Sequence, residues 1–154
     1  MPDITFLDTT VLCNLIPVPG RDQHRDEVRA EMAARLGRGE QFILPITAVI
    51  ETGNFVAQLA DGRERRHCAQ TLGEMLRLVC ERKAPWVLHD VEWSRPVLES
   101  FLAGADTGAT FIELAMQGLG AGDLCILTER AAYRERVRLD VGIWSLDQGL
   151  AAHA

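Results

Sequence analysis

Apolar residues along this chain fall into short unbroken runs that alternate with longer stretches of helical period. Ile4-Thr5-Phe6-Leu7 reads as a strand, bounded by Pro2-Asp3 and Asp8. Residues 10–16 read as a short helix, stopped by Pro17-Val18-Pro19-Gly20. An amphipathic helix over 22–36 follows, with Val28, Met32 and Leu36 at helical spacing, closed by Gly37 and Gly39. Phe42-Ile43-Leu44 before Pro45 is a second strand, and Thr47 is the predicted N-cap of a helix that carries Glu51 in its opening turns. Asp61-Gly62 breaks the chain. A longer helix then spans about 64–82, with Leu72, Met75, Leu76 and Val79 in phase, and Trp86-Val87-Leu88 is a third strand. Residues 91–103 and 107–119 give two more helices, and another runs from near Asp123 to about Arg136. Val141 to Leu146 is the last strand, followed by a segment too short to assign.

Strands alternating with helices predict an α/β fold in one domain, residues 1–154. The expected architecture is a three-layer α/β/α sandwich around a mainly parallel sheet of four or five strands. The composition, 47% hydrophobic and 25% charged, is that of an ordinary globular chain, which places the burden of function on particular residues. No run is long enough to span a bilayer, and the N-terminus enters a strand without a basic segment before it. The reading is therefore no signal peptide, no membrane association and a cytoplasmic location.

Four carboxylates stand out against this pattern. Asp8 closes the first strand run and Asp147 closes the last; Glu51 interrupts the apolar stretch from Ile46 to Leu59; Asp123 opens Asp123-Leu124-Cys125-Ile126-Leu127 after Gly120-Ala121-Gly122. All four sit at the ends or edges of segments that should be buried, where an unpaired charge is costly. Asp8 and Asp147 could each simply cap a helix, but Glu51 falls inside its helix and is not a cap. In a parallel sheet, ligands collect at the carboxyl ends of the strands, where Asp8 and Asp147 lie and which Glu51 follows closely.

Such a cluster suits a hard divalent cation, because Mg²⁺ and Mn²⁺ prefer carboxylate oxygens and water. Two such ions about 3.5–4 Å apart can activate a water and stabilise both oxygens of a phosphodiester displacement. Nucleophilic serine chemistry finds no support: Ser94, Ser100 and Ser145 are the only serines, and none lies in a Gly-x-Ser-x-Gly sequence. The formal net charge of −6 argues against simple electrostatic binding of nucleic acid, although metal ligation by several carboxylates weakens that argument. Cys13, Cys68, Cys80 and Cys125 have no Cys-x-x-Cys spacing and read as reduced, mostly buried thiols.

Asp8-Thr9-Thr10-Val11-Leu12 resembles the opening motif of PIN domains, an Asp followed two places later by Ser, Thr or Asn. Thr47-Ala48-Val49-Ile50-Glu51 is similar to that family's second acidic segment, Gly120 to Leu127 to the third, and Trp144-Ser145-Leu146-Asp147 to the closing Thr-x-Asp. The four occur in order and span nearly the whole chain. The resemblance implies a Mg²⁺- or Mn²⁺-dependent ribonuclease of the VapC toxin type, acting on RNA, forming a homodimer and inhibited by a small antitoxin. Carried over by position, Asp8, Glu51 and Asp123 would bind the first metal. Asp147 would complete the site with a second ion or the attacking water, and Thr10 and Ser145 would orient carboxylates. Ser145 in place of threonine keeps the hydroxyl. Only seven residues follow Asp147, so the family's short final strand would be missing.

Other readings stay open. A haloacid-dehalogenase-type phosphatase would need an Asp where Thr10 stands. A catalytically silent PIN-fold module that binds RNA or protein is the non-enzyme alternative. Arg63, Arg65, Arg66 and His67 form a basic cluster at a helix start, which is either an RNA-backbone contact or a solvated helix end. Arg130 and Arg134 share a helix face downstream of Asp123, where they would either guide a phosphate or pair with Glu129 and Glu135. His24, His67, His89 and His153 are too scattered for a zinc site, and Asp90, Glu92 and Asp106 read as solvated turn residues.

Overall fold

The computed structural model describes residues 2–88 and 91–154; His89 and Asp90 lie outside them. Four strands are present among the described residues: β1 (Ile4–Leu7), β2 (Gln41–Ile43), β3 (Trp86–Val87) and β4 (Val141–Trp144). Helices α1 (Thr9–Leu15) and α2 (Arg25–Gly37) join β1 to β2, and α3 (Ile46–Ala57) and α4 (Gly62–Cys80) join β2 to β3. Helices α5 (Arg95–Leu102), α6 (Phe111–Met116) and α7 (Ala121–Val137) lead to β4, and α8 (Gln148–Ala151) follows it.

All strand pairs are parallel, in the order β3-β2-β1-β4. Side chains alternate across the sheet with the period of two that extended backbone imposes. Leu7, Phe42 and Trp144 pack on one face with Val11 and Leu12 of α1, Val28 of α2, Val56 of α3 and Leu72 of α4. Ile4, Phe6, Ile43, Val141 and Ile143 pack on the other with Leu114, Leu124, Leu127 and Leu150. The sheet is therefore the middle layer of an α/β/α sandwich. With both faces covered, a strand has no reason to alternate apolar with polar residues, which is why these strands read as continuous apolar runs.

The strand order sets the position of the site. The chain moves outward from β1 through β2 to β3, then returns to place β4 on the opposite flank of β1. The reversal leaves a crevice at the carboxyl ends of β1 and β4, where open parallel sheets bind ligands. Leu7 is paired with Trp144, and the Asp8 N–H continues the ladder by donating to the Trp144 carbonyl at 3.1 Å. Asp8 and Ser145 thus leave the sheet side by side. Helix α7 begins after Gly120, with Asp123 as the acidic residue of its first turn.

Several boundaries differ from expectation. Pro45, not Thr47, is the N-cap of α3, and Thr47 lies inside the first turn of that helix. Helices α5 and α6 are shorter than the 91–103 and 107–119 segments, because Pro96 fits the first turn of α5 and Thr110 forms a capping box with Glu113. Strand β4 stops at Trp144, which frees Ser145 and Asp147 for local hydrogen bonds. The residues after Asp147 form α8 rather than a strand, anchored by the fully buried Leu150. Burial of a leucine stabilises by about 1.5–3 kcal/mol, enough to hold the Asp147 turn in place.

Candidate active site

The four carboxylates singled out from sequence line one cavity of about 250 Å³ at the carboxyl ends of β1 and β4, together with Thr9, Thr10, Cys13, Arg21 and Phe55. They are graded in exposure. Asp8 is 1% exposed, Glu51 and Asp123 are half-buried, and Asp147 is exposed. A groove of about 810 Å³ beside β3, at the other edge of the sheet, is larger, but Glu74 is the only carboxylate in its lining. The smaller cavity gathers the four carboxylates.

Asp8 serves as N-cap of α1, as its position at a strand end allows, and the cap accounts for only one of its oxygens. Its Oδ2 accepts from the Thr10 hydroxyl at 2.8 Å, the Ser145 hydroxyl at 2.6 Å and, more weakly, the Thr10 N–H at 3.4 Å. Those hydroxyls in turn accept backbone N–H groups: Leu146 donates to Thr10 and Asp147 donates to Ser145, both at 2.9 Å. The network fixes the hydroxyl protons on Asp8 and ties the turn after β4 to the start of α1. Oδ1 of Asp8 is buried and has no hydrogen-bond partner among the described residues. A buried carboxylate oxygen in that condition is costly unless a cation meets it.

Glu51 is held by Thr9, whose hydroxyl donates to Oε1 at 2.9 Å. Sequence reading missed Thr9, because its role depends on α1 packing against α3 and no local pattern reports that. On the opposite side, α7 approaches so closely that a Cβ at Gly122 would stand 2.7 Å from the Glu51 carboxylate. Only glycine there leaves the Glu51 head undisturbed. Asp147 Oδ1 caps α8 through the Leu150 N–H at 3.1 Å.

Electrostatics couple the group. The Asp123 carboxyl is pushed up to about 6, first by burial and then by the negative charges of Asp8, Asp147 and Glu51, against the lowering effect of a Gly120 backbone hydrogen bond. Its place in the first turn of α7 favours the anion by about 0.3–1 kcal/mol, and burial with three like charges outweighs that. Burial likewise pushes the Cys13 thiol up to about 11, so at neutral pH it remains a thiol.

The donor set fits a divalent cation of the hard class: carboxylate oxygens around a protonated cysteine, with one buried oxygen left over on Asp8. Among the described residues, however, no three His, Cys, Asp or Glu side chains close into a ready-made metal shell. The carboxylates share a cavity and one another's field without forming that shell.

The basic residues separate into two groups. Arg130 is 3% exposed and donates to the His153 carbonyl at 2.6 Å, so the expectation that it meets a phosphate is corrected: its guanidinium secures the C-terminal segment. Arg134 pairs with Asp106 at 3.1 Å. Arg63 and Arg66 are exposed at the start of α4 and do not line the cavity. Arg21, unnoticed in the sequence, does. Cys13 and Cys68 are buried as expected, Cys125 is half-buried and Cys80 is exposed, all as free thiols. No helix among the described residues is long and apolar enough to cross a membrane.

No family model, curated protein or solved structure matches this chain.

Proposed function

We propose that this chain is a Mg²⁺- or Mn²⁺-dependent endoribonuclease, as the resemblance of its four acidic segments to PIN domains implies. The observation that carries the reading is the convergence of Asp8, Glu51, Asp123 and Asp147 on one cavity, with Asp8 Oδ1 buried and, among the described residues, unpartnered. In this reading Asp8, Glu51 and Asp123 hold the ion and Asp147, at the mouth, orients the attacking water. A bound divalent cation supplies charge neutralisation and Lewis acidity at the phosphodiester. Thr10 and Ser145 keep Asp8 Oδ2 engaged so that Oδ1 is the atom left for ligation, and Thr9 does the same for one oxygen of Glu51. Hydrolysis joins the water oxygen to phosphorus as the P–O3′ bond breaks, and the leaving oxygen takes up a proton. The products carry 5′-phosphate and 3′-hydroxyl ends.

The partners follow the same reading: RNA as substrate, a second copy of the chain and a small antitoxin protein, with action in the cytoplasm. Self-association has one support of its own. Exposed apolar pairs recur at i,i+4 spacing on three helices, Ile46 and Ile50, Leu98 and Leu102, and Ile112 and Met116. The toxin role and the antitoxin rest on the resemblance. The lack of a closed carboxylate shell favours the second reading, a silent PIN-fold module that binds RNA or protein.

Incubation of the purified protein with a mixed, structured RNA pool, in Mg²⁺, in Mn²⁺ and in chelator, separates the two. The enzyme reading expects metal-dependent cleavage that Asp8→Asn and Asp123→Asn abolish while retaining their fold. RNA binding without cleavage in either metal, by a protein shown to bind that metal, would establish the silent module against a broad nuclease.

A further inference from the structure

Arg21 is the one basic side chain lining the acidic cavity among the described residues. Its position is built. Val18 is fully buried, Pro17 accepts a weak bond from the Cys68 thiol at 3.8 Å, and the Arg21 N–H donates to the Val18 carbonyl at 2.9 Å. Gly20, at φ +82°, makes the left-handed turn that a side chain would resist, and so delivers Arg21 to the cavity. The guanidinium lies over the Phe55 ring, its central carbon 3.4 Å from the ring centroid. Phe55 itself comes from α3, one turn beyond Glu51.

Chemically this is an odd use of an arginine. A cation beside four carboxylates would ordinarily be drawn into an ion pair, yet among the described residues no carboxylate lies within ion-pair distance of Arg21. It is exposed, held by an aromatic face and a tight turn instead of by an anion. A cation–π contact of this kind takes up no carboxylate or carbonyl partner for the guanidinium N–H groups, and that donor fork matches two oxygens of a phosphate. A phosphodiester entering a cavity walled by carboxylates also needs a positive group on the protein side.

We infer that Arg21, stacked on Phe55, is a substrate-binding residue that takes a phosphate of the nucleic acid backbone and sets it against the carboxylate cluster. The identity of that substrate rests on the ribonuclease reading; the geometry of Arg21 does not. The clamp is a binding group, and the displacement itself is left to the carboxylate site.

The test is equilibrium binding of a fluorescein-labelled single-stranded RNA of mixed sequence, in Mg²⁺, between about 50 and 200 mM salt. The full chain carries Asp8→Asn in every sample so that no cleavage occurs, and circular dichroism verifies each fold. Arg21→Gln is expected to weaken binding about tenfold at the low end and to reduce the slope of log K against log salt by about 0.7, the value for one phosphate contact on a single strand. Arg21→Lys should restore the slope and only part of the affinity, and Phe55→Leu should weaken binding while leaving the slope, since the charge survives without its platform. A role confined to stabilising the loop would lower the melting temperature and leave the slope alone, which overturns the inference. Equal slopes for Arg21→Gln and its parent overturn it while leaving the ribonuclease reading in place. Absence of RNA binding by the chain in any form overturns both.

Discussion

Ser145 Oγ donates to Asp8 Oδ2 across 2.6 Å, joining the ends of the last and first strands although 137 residues separate them. This bond ties the carboxyl ends of two adjacent parallel strands together. Ser145→Ala removes a charge-assisted donor from a buried carboxylate and one acceptor from the Asp147 N–H. The expected loss is about 1.5–3 kcal/mol of stability, measured by urea unfolding. Ser145→Thr keeps the hydroxyl and should stay within about 1 kcal/mol of wild type. An alanine variant as stable as wild type would mean that water replaces the bond without loss.

Gly122 separates the site's chemistry from the fold's stability. Alanine is favoured over glycine in a helix by about 1 kcal/mol, so Gly122→Ala should fold at least as well as wild type. The new Cβ would displace the Glu51 carboxylate, 2.7 Å away, from its bond with Thr9. Affinity for Mn²⁺ should then fall about tenfold, as for loss of an orienting contact to a metal ligand. Calorimetric titration with Mn²⁺ reads the affinity; an unchanged value would remove Glu51 from the ligand set.

Asp123 predicts a pH dependence with a definite sign. Its carboxyl stands at about 6 in the folded chain, above its ordinary value of 3.8, so folding favours the protonated form. The associated stability is fully present below about pH 4 and is lost as pH rises through about 6. In chelator, wild type should therefore lose roughly 1–2 kcal/mol relative to Asp123→Asn between pH 4 and pH 7.5, allowing for the solvent that reaches this half-buried group. Thermal unfolding of both proteins across that range checks it, and parallel curves would contradict the coupling.

Arg130→Ala should act on stability and not on RNA. Truncation leaves the His153 carbonyl without its donor and opens a buried site in α7, at an expected loss of about 2–4 kcal/mol. Binding of RNA by the folded variant should match wild type. Weaker RNA binding at equal stability would return Arg130 to the substrate path.

The contrast between Arg130 and Asp8 shows what the sequence could reveal. Asp8, Glu51, Asp123 and Asp147 were legible because a carboxylate at the edge of an apolar run violates the burial pattern, and parallel strands bring their carboxyl ends together. The strand runs were legible for the same reason, since a sheet covered on both faces leaves no polar alternation. Arg130 follows Glu129 in a run of mixed polarity, and helical spacing alone placed it outward, yet both residues are buried. Thr47 resembled a cap because its side chain is of the capping type, while the helix starts one residue earlier, directly after Pro45. Thr9 and Arg21 needed the packing of α1 and the Pro17–Gly20 turn against α3, which only the tertiary structure supplies.

The central claim is that the four carboxylates form one divalent-cation site. Electron paramagnetic resonance of Mn²⁺ titrated into wild type and into Asp8→Asn tests it most directly, because it reads the ion without requiring the right RNA. The account predicts saturable binding to wild type, displaced by excess Mg²⁺, and at least about tenfold weaker in a folded Asp8→Asn. Wild type that binds no Mn²⁺, or an Asp8→Asn variant that binds it equally well, would contradict the account.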